Sequence, residues 1–524
     1  MVASQAKFNQ FPYAGNFDST KHPALIDPND VVDMNNLIFT TYSTKKLRPG
    51  ISPVFTQSVP AESREIVSYA DFWRLGTQRF VYCNGVDVVA VETDGTSYVI
   101  TPNGVTLNDA NVFFLVFQGL LIVFFGNTDY RPHYWTGTGA MVELTDYPEG
   151  TPFGRIWLNA VWVPDPSVPG RLKKSKTGDP TDLTSGDALD FDLDVSDGDP
   201  DGITAIFDPV FDALYVSKRF SIHKIYIQLD NLTGDFVYGR NVVSKGIGCI
   251  SHQAAVAVED VIIFPSDRGV HILSQTDKVS GVETQFLSKN IQPLWVKEIN
   301  FARRQWMRAV YDNSRNCYLL LFPDKGRNYN SSCWGYSLYA NSWFRWQDYN
   351  QTCIFRYIDP VEEDIKIGVC SGDGQIGFID DDVKTDFGVR YRASIQSGII
   401  SFSGVPKDCF QLSQLSAFFV PQASGKMTIT YRIDGVVIDT LEFDLKSVEI
   451  GDNLGEDFTT GISILGNYPE IGGETVNTKG DGHFFNFLIE YIPSVVSEPE
   501  DGFEILGLVM GLVPVTSRLG KFGG

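Results

Sequence analysis

Residues 241–273, NVVSKGIGCISHQAAVAVEDVIIFPSDRGVHIL, hold three short apolar runs divided by turn residues, and that punctuation decides the fold. Gly246 and Gly248 interrupt the chain; 254–258 and 261–265 then give two β-rich runs, with Glu259-Asp260 as the turn between them. Ser266-Asp267-Arg268-Gly269 supplies a second turn, in which Gly269 can take a positive φ at no steric cost, before 270–273 runs back as a third strand. The pattern is a β-meander. Just upstream, 202–205, 213–217 and 220–227 repeat it at similar length, which predicts a repeated blade.

Working outward, an apolar β-run recurs at 80–83, 121–125, 161–164, 213–217, 261–265, 317–322 and 365–370, at intervals of 40 to 56 residues. Helical periodicity is scarce, 293–307 being the one short candidate. Radial repetition hides sheet edges that would otherwise aggregate, so the spacing predicts an all-β chain with a six- or seven-bladed β-propeller over 63–388. Beyond 388 the pattern changes to longer strands at 390–402, 415–420, 426–432, 436–443, 484–492 and 503–513, with a hairpin about Ile433-Asp434-Gly435. This predicts a C-terminal antiparallel β-sandwich over 389–524, interrupted by a polar, Gly-rich stretch at 451–481 and ending in a frayed tail. Residues 1–62, polar and Pro-rich, read as an N-terminal arm and edge layer.

A formal net charge of −22 over 524 residues argues against a sequence-independent nucleic-acid binder, whose affinity comes from Lys and Arg neutralising phosphates. The seven cysteines are odd in number and scattered without a C-x-x-C pair, which reads as buried thiols made in a reducing cytoplasm. No secretory signal is expected at the N-terminus. No membrane-spanning segment is expected either, because the most apolar run, 112–125, is broken by Gln118-Gly119.

Two basic stretches are candidate interface contacts: the strand carrying Lys46 and Arg48 before a Pro-Gly turn, and the denser cluster of Arg171, Lys173, Lys174 and Lys176. For the cluster, pairing with acidic neighbours on the same chain or the next is weighed against phosphate contact. Leu189, Phe191, Leu193 and Val195 alternate with Asp190, Asp192 and Asp194, which predicts a strand with one buried face and one exposed face of carboxylates. A calcium loop is the alternative, opposed by Val195 where the tight-turn glycine belongs and Asp201 in place of a bidentate Glu. Trp334, Tyr336, Trp343 and Trp346 read either as wedge filling between blades or as a stacking platform for sugars or bases.

No G-x-S-x-G elbow, H-E-x-x-H or P-loop occurs, and Ser251-His252, adjacent in sequence, point apart on a strand. No catalytic, cofactor-binding or metal-binding residue is assigned, and no enzyme activity is expected. The block DALYVSKRFSIHKIY at 212–226, followed by SKGIGCISHQAAVAVEDVIIFPSDRGVHIL, resembles the tail nozzle proteins of short-tailed bacteriophages, also called packaged-DNA stabilisation or tail tubular B-type proteins. So do the Leu47-Arg48-Pro49-Gly50 turn and the closing strands that end in Thr516-Ser517-Arg518. The similarity covers 40–390 and, more weakly, the C-terminal region; the acidic insertion at 178–202 and the loop at 451–481 lie outside the pattern. The resemblance implies a structural virion protein made in the host cytoplasm, a propeller assembled with itself as a homohexameric ring around the DNA exit channel. It implies tail adaptor or portal-side proteins and tail fibre, spike or needle proteins as neighbours, and genomic DNA passing without specific binding. A propeller glycosidase or depolymerase, or a carbohydrate-binding adhesin, is the alternative.

Overall fold

In the computed structural model, residues 7–11, 15–41, 44–54, 68–107, 111–126, 129–193, 200–230, 235–275, 282–359, 364–401, 409–420, 422, 425–445, 472–493 and 502–515 are described. The chain packs into two units, one made of Pro53–Trp334 with Asp348–Ile379, the other of Met1–Ser52, Gly335–Gln347 and Asp380–Gly524. The fold therefore does not divide at 62/63 and 388/389. Both units are discontinuous.

The first unit is a seven-bladed propeller. Five blades are complete four-stranded antiparallel sheets, each with its strands in chain order: Ser68–Arg74 to Ser97–Val99, Phe113–Phe117 to Val142–Glu143, Arg155–Trp157 to Leu189–Asp192, Ile203–Ile206 to Phe236–Lys245, and Val256–Val258 to Val282–Phe286. The sixth starts with Arg308–Asp312 and Cys317–Phe322, and the seventh with Gln351–Ile358 and Ile365–Ser371. Each of the seven apolar runs seen in the sequence falls on the second strand of a blade, because that strand has neighbours on both edges and sheets on both faces. In the opening stretch both expected turns form: Val258 pairs with Val261, and Ser266 with Gly269, whose φ is 145°. An added Cβ at Gly269 would lie 2.2 Å from Ser288 Oγ, so the position excludes a side chain as well.

Blades adhere through apolar wedges. Leu115, Ile122 and Phe124 of the second meet Val161 and Val163 of the third; Trp162 and Leu172 of the third meet Leu214, Val216 and Ile225 of the fourth. Tyr215 and Ile222 of the fourth meet Ile262, Phe264 and Leu273 of the fifth. The ring closes where Tyr69 of the first blade stacks on Phe355 of the seventh, ring centroids 3.6 Å apart, beside Phe80 and Tyr357. Asp71 adds a polar latch, its carboxylate accepting from the Ile358 N–H at 2.9 Å and from the Tyr69 hydroxyl at 2.8 Å. Burial pushes that carboxyl up to about 6 against the pull of these hydrogen bonds. The helix candidate at 293–307 is a short α-helix, Gln292–Glu298, followed by a 3-10 turn, Phe301–Trp306.

The second unit is built mostly of antiparallel strands, with a parallel pairing between Val31–Asn35 and Ser342–Trp346. One sheet runs Leu37–Phe39, Lys45–Leu47, Glu504–Val515, Cys409–Phe419, Gly472–Asn477, with Lys7–Phe11 and Asp481–Gly482 paired at its margins. Within this unit the other runs Ser342–Trp346, Val31–Asn35, Ala393–Ser397, Phe485–Ile492, Lys426–Ile433, Val436–Asp444. Strands Lys426–Ile433 and Phe485–Ile492 bury alternate residues, Met427, Ile429 and Tyr431 on one, Phe485, Phe487, Ile489 and Tyr491 on the other, which is the one-sided burial of a sandwich. Asp434 and Gly435, with φ of 50° and 84°, make the two-residue turn expected between Ile433 and Val436. Within the 1–62 segment, Val31, Met34, Leu37, Leu47 and Ile51 are buried, and the strands that carry them join the sheets of this unit. Of the polar stretch at 451–481, Gly472–Asn477 is a strand and 451–471 lie outside the described residues.

Candidate interaction surfaces and the propeller centre

The two basic stretches have opposite fates. Arg48 is fully buried and forms a bidentate pair with Asp386, its Nη1 donating to Oδ1 at 2.8 Å and its Nη2 to Oδ2 at 2.5 Å. Its Nε donates to Asn36 Oδ1 at 3.1 Å, and the guanidinium lies 3.6 Å from the centre of the Tyr391 ring. Five donors in a planar fork against a carboxylate, an amide and an aromatic face are what an arginine needs to sit in an interior. The expected interface role for Arg48 is thus corrected to an internal clamp. Lys46 is half-buried, and its neighbour Lys45 is buried with its ammonium donating to the Gly15 carbonyl; burial lowers that amine to about 7.

The second cluster lies on the third blade. Strand Arg171–Lys174 pairs antiparallel with Leu189–Asp192, setting Arg171 opposite Asp192 and Lys173 opposite Asp190. Arg171 Nε donates to Asp192 at 2.7 Å and Lys173 Nζ to Asp190 at 2.7 Å. Asp190 and Asp192 are exposed as expected, yet each carboxylate meets a cation across the ladder, and the Arg171 hydrogen bond holds the Asp192 carboxyl below its ordinary value. Pairing on the same chain is therefore the outcome for these residues. Lys174 is buried rather than surface-facing: its ammonium donates to Asp187 Oδ2 at 2.8 Å, the Asp187 carbonyl and the Ser175 carbonyl, gathering the loop between the two strands. Lys176 is half-buried beside it, its backbone N–H donating to the Asp182 carbonyl. Asp194 and Val195 of the calcium alternative lie outside the described residues.

The aromatic run is interior. Trp334, Trp343 and Trp346 are all essentially without exposure, which removes the stacking platform; Trp334 lies against Phe322 of its own sheet and Trp346 against the Arg48 guanidinium, and only Tyr339 is left at the surface.

Sequence reasoning missed the centre of the propeller. Asn111, entering the second blade, donates from Nδ2 to the Gln305 carbonyl at 2.7 Å, while Arg308 of the sixth blade donates to Asn111 Oδ1 at 3.3 Å. Ser251, entering the fifth blade, donates to the Met307 carbonyl at 2.8 Å. His252 stacks on Phe153 with ring centroids 4.2 Å apart, abuts Phe113 at 4.8 Å and accepts at Nδ1 from the Ile206 N–H. Burial first, and Arg155 second, hold that imidazole well below its ordinary value. In a ring of seven, segments of the second and sixth blades, or the second and fifth, can touch only across the axis. The axis is filled at this level. No local signal marks these residues, since Asn111, Ser251 and His252 lie in connecting segments, Arg308 begins a strand, and each finds its partner only when the ring closes.

No protein-family model matches the chain, and no curated protein matches it. Solved structures resemble it at low identity. Virginiamycin B lyase from Staphylococcus aureus is 12% identical, with 62% of this chain and 97% of the lyase covered and a TM-score of 0.40. The computationally designed Ika8 protein is 11% identical, with 71% and 100% covered and a TM-score of 0.38. The Swd1 β-propeller domain of Myceliophteria thermophila is 12% identical, with 62% and 99% covered and a TM-score of 0.38.

Proposed function

We propose that this chain is a structural, non-enzymatic subunit of a short phage tail, assembled with copies of itself as a ring of six that retains and then conducts the genome. The observation that carries the reading is the block at 212–226 and 244–273, whose resemblance to tail nozzle proteins falls on two adjoining blades, the fourth and the fifth. The filled axis adds a constraint: duplex DNA has no bore to follow within one propeller, so the conduit is the space enclosed by several subunits. A net charge of −22 suits its wall, because cations would form phosphate contacts that moving DNA must break. On this reading the neighbours are portal-side adaptor proteins and fibre, spike or needle proteins, and the location is the virion.

The test is electron microscopy of the purified full-length chain and of particles, together with duplex binding at low salt. Rings in solution, the same ring in the tail and DNA affinity no better than that of an ordinary non-specific protein are expected. A stable monomer absent from particles, or a ring that grips DNA with steep salt dependence, overturns the proposal.

A further inference from the structure

Six of the seven cysteines are buried, and two of these stand face to face. In the seventh blade, strands Gln351–Ile358 and Ile365–Ser371 pair antiparallel with Cys353 directly opposite Cys370. Opposed residues of an antiparallel ladder lie about 4.5–5.5 Å apart at Cα, inside the span of about 4.4–6.8 Å that a disulfide bridges. The ladder is also irregular here, since its register shifts between Gln351 and Cys353, a bulge that leaves Thr352 out of the pairing. By contrast, Cys83 stands opposite Ser68 and Val88, Cys317 opposite Asp312, and Cys409 opposite Val515.

The two facing thiols are not equivalent. A hydrogen bond joins them, and the Arg308 guanidinium, arriving from the sixth blade, bonds to Cys353. Burial raises the Cys353 thiol, but these two contacts outweigh burial and hold it below its ordinary value. Cys370 is pushed well above its own, by burial first and by its neighbour second. The pair thus divides into a nucleophile and a thiol held in reserve. Cys83 feels the Arg308 charge too, yet burial dominates there and pushes it up to about 12. Around Cys353 the interior is polar: Arg308 donates to Asn111, and Asn330 donates to the Thr352 carbonyl at 2.9 Å. The buried Gln351 Oε1 and Asn330 Oδ1 meet no hydrogen-bond donor among the described residues.

We propose that Cys353 and Cys370 form a peroxide-reactive dithiol, which hydrogen peroxide converts into an intramolecular disulfide across the seventh blade. The Cys353 thiolate attacks one peroxide oxygen; an S–O bond forms as the O–O bond breaks, and the departing hydroxide takes up the proton that Cys353 gave, leaving as water. The Cys370 sulfur then attacks the sulfenic sulfur. An S–S bond forms, the S–O bond breaks, and the second hydroxide leaves as water with the Cys370 proton. Each sulfur gives up one electron, and peroxide is reduced to two waters. Burial selects the oxidant: Cys353 is 1% and Cys370 0% exposed, which admits a small neutral molecule and turns away a bulky disulfide such as oxidised glutathione. This chemistry belongs to the single chain and holds whether or not copies assemble.

The test uses the full chain with Cys409→Ser, which removes the half-buried thiol, treated with hydrogen peroxide at neutral pH, alkylated in denaturant and mapped by mass spectrometry. A Cys353–Cys370 disulfide, lighter by two hydrogens, should form about tenfold faster than Cys83, Cys249, Cys317 or Cys333 is oxidised. Its rate should rise with pH at a midpoint below that of a free thiol, and oxidised glutathione should close it about tenfold more slowly. Adding Cys370→Ala should abolish the disulfide and leave Cys353 as a sulfenic acid trapped by dimedone. Equal oxidation of all the buried cysteines, a disulfide between chains, faster closure by oxidised glutathione, or an unmodified Cys353 in Cys370→Ala overturns the inference. Should Cys370→Ala misfold by circular dichroism, the map of the parent chain decides alone.

Discussion

The strand that leads into Arg48 and the strand Arg171–Lys174 are written in nearly the same letters, and they end in opposite environments. The first places Lys45 and Arg48 in the interior of the second unit; the second places Arg171 and Lys173 on an exposed ladder of the propeller. The difference lies in what each strand pairs with. Lys45–Leu47 is enclosed between Leu37–Phe39 and the Glu504–Val515 strand, so its charges must be met by an inner carboxylate, carbonyl and ring. Arg171–Lys174 faces a strand whose alternate residues are Asp190 and Asp192, so the charges of Arg171 and Lys173 are met at the surface.

The comparison is broken most severely by Arg48→Met. Removing one member of a buried pair strands the other, at a cost of about 3–5 kcal/mol. Denaturant unfolding should show that loss, with hydrogen exchange rising first in Cys409–Phe419 and Lys426–Ile433 rather than in the blades. Arg48→Lys should recover little, since an ammonium cannot reproduce the fork. An intact second unit in Arg48→Met would remove the clamp from this account.

Lys174→Met tests the one cation of the ladder that goes inward. It deletes the bonds to Asp187 and Ser175, and a loss of about 1–2 kcal/mol is expected, with faster exchange in the 175–188 loop. No change would mean that the Lys174 contacts do not hold the loop.

Lys45→Met sharpens the comparison through pH. The folded amine is lowered to about 7 from an ordinary value of 10.5, so the stability tied to its neutral form is full above 10.5 and falls away as pH drops toward 7. Wild type should therefore lose melting temperature between pH 9.5 and 7 relative to Lys45→Met. Parallel curves for the two proteins would place the amine in water.

The smallest effect belongs to Arg171→Gln with Lys173→Gln. Both are exchanged against exposed carboxylates, so the midpoint should move by no more than about 1 °C, and less in 0.5 M salt. A larger change that salt does not suppress would make the ladder a structural element equal to the clamp.

Much of the architecture is legible in the sequence. Seven apolar runs, the turns at Glu259-Asp260 and Asp434-Gly435, and the change of strand length after 388 are local properties, set by side-chain alternation and by which residues tolerate positive φ. The same-chain pairing of Arg171 and Lys173 was one of two readings, and the nearness of both strands in sequence made it accessible. What could not be read is everything decided by closure. That 1–52 joins 380–524 in one unit depends on pairings such as Lys7 with Leu512, separated by nearly the whole chain.

The same holds for individual residues. By itself the sequence determined an all-β chain, its repeat, its hairpins and its acidic balance, because each follows from contacts a few residues apart. Tertiary structure alone decided that Arg48 is a clamp, that Lys174 turns inward, that Trp334, Trp343 and Trp346 are interior, and that Asn111 meets Arg308 across the axis. A charge or an indole carries no local mark of its burial; its environment is made by strands that arrive from elsewhere in the chain, and only the assembled sheets determine whether water or a partner meets it.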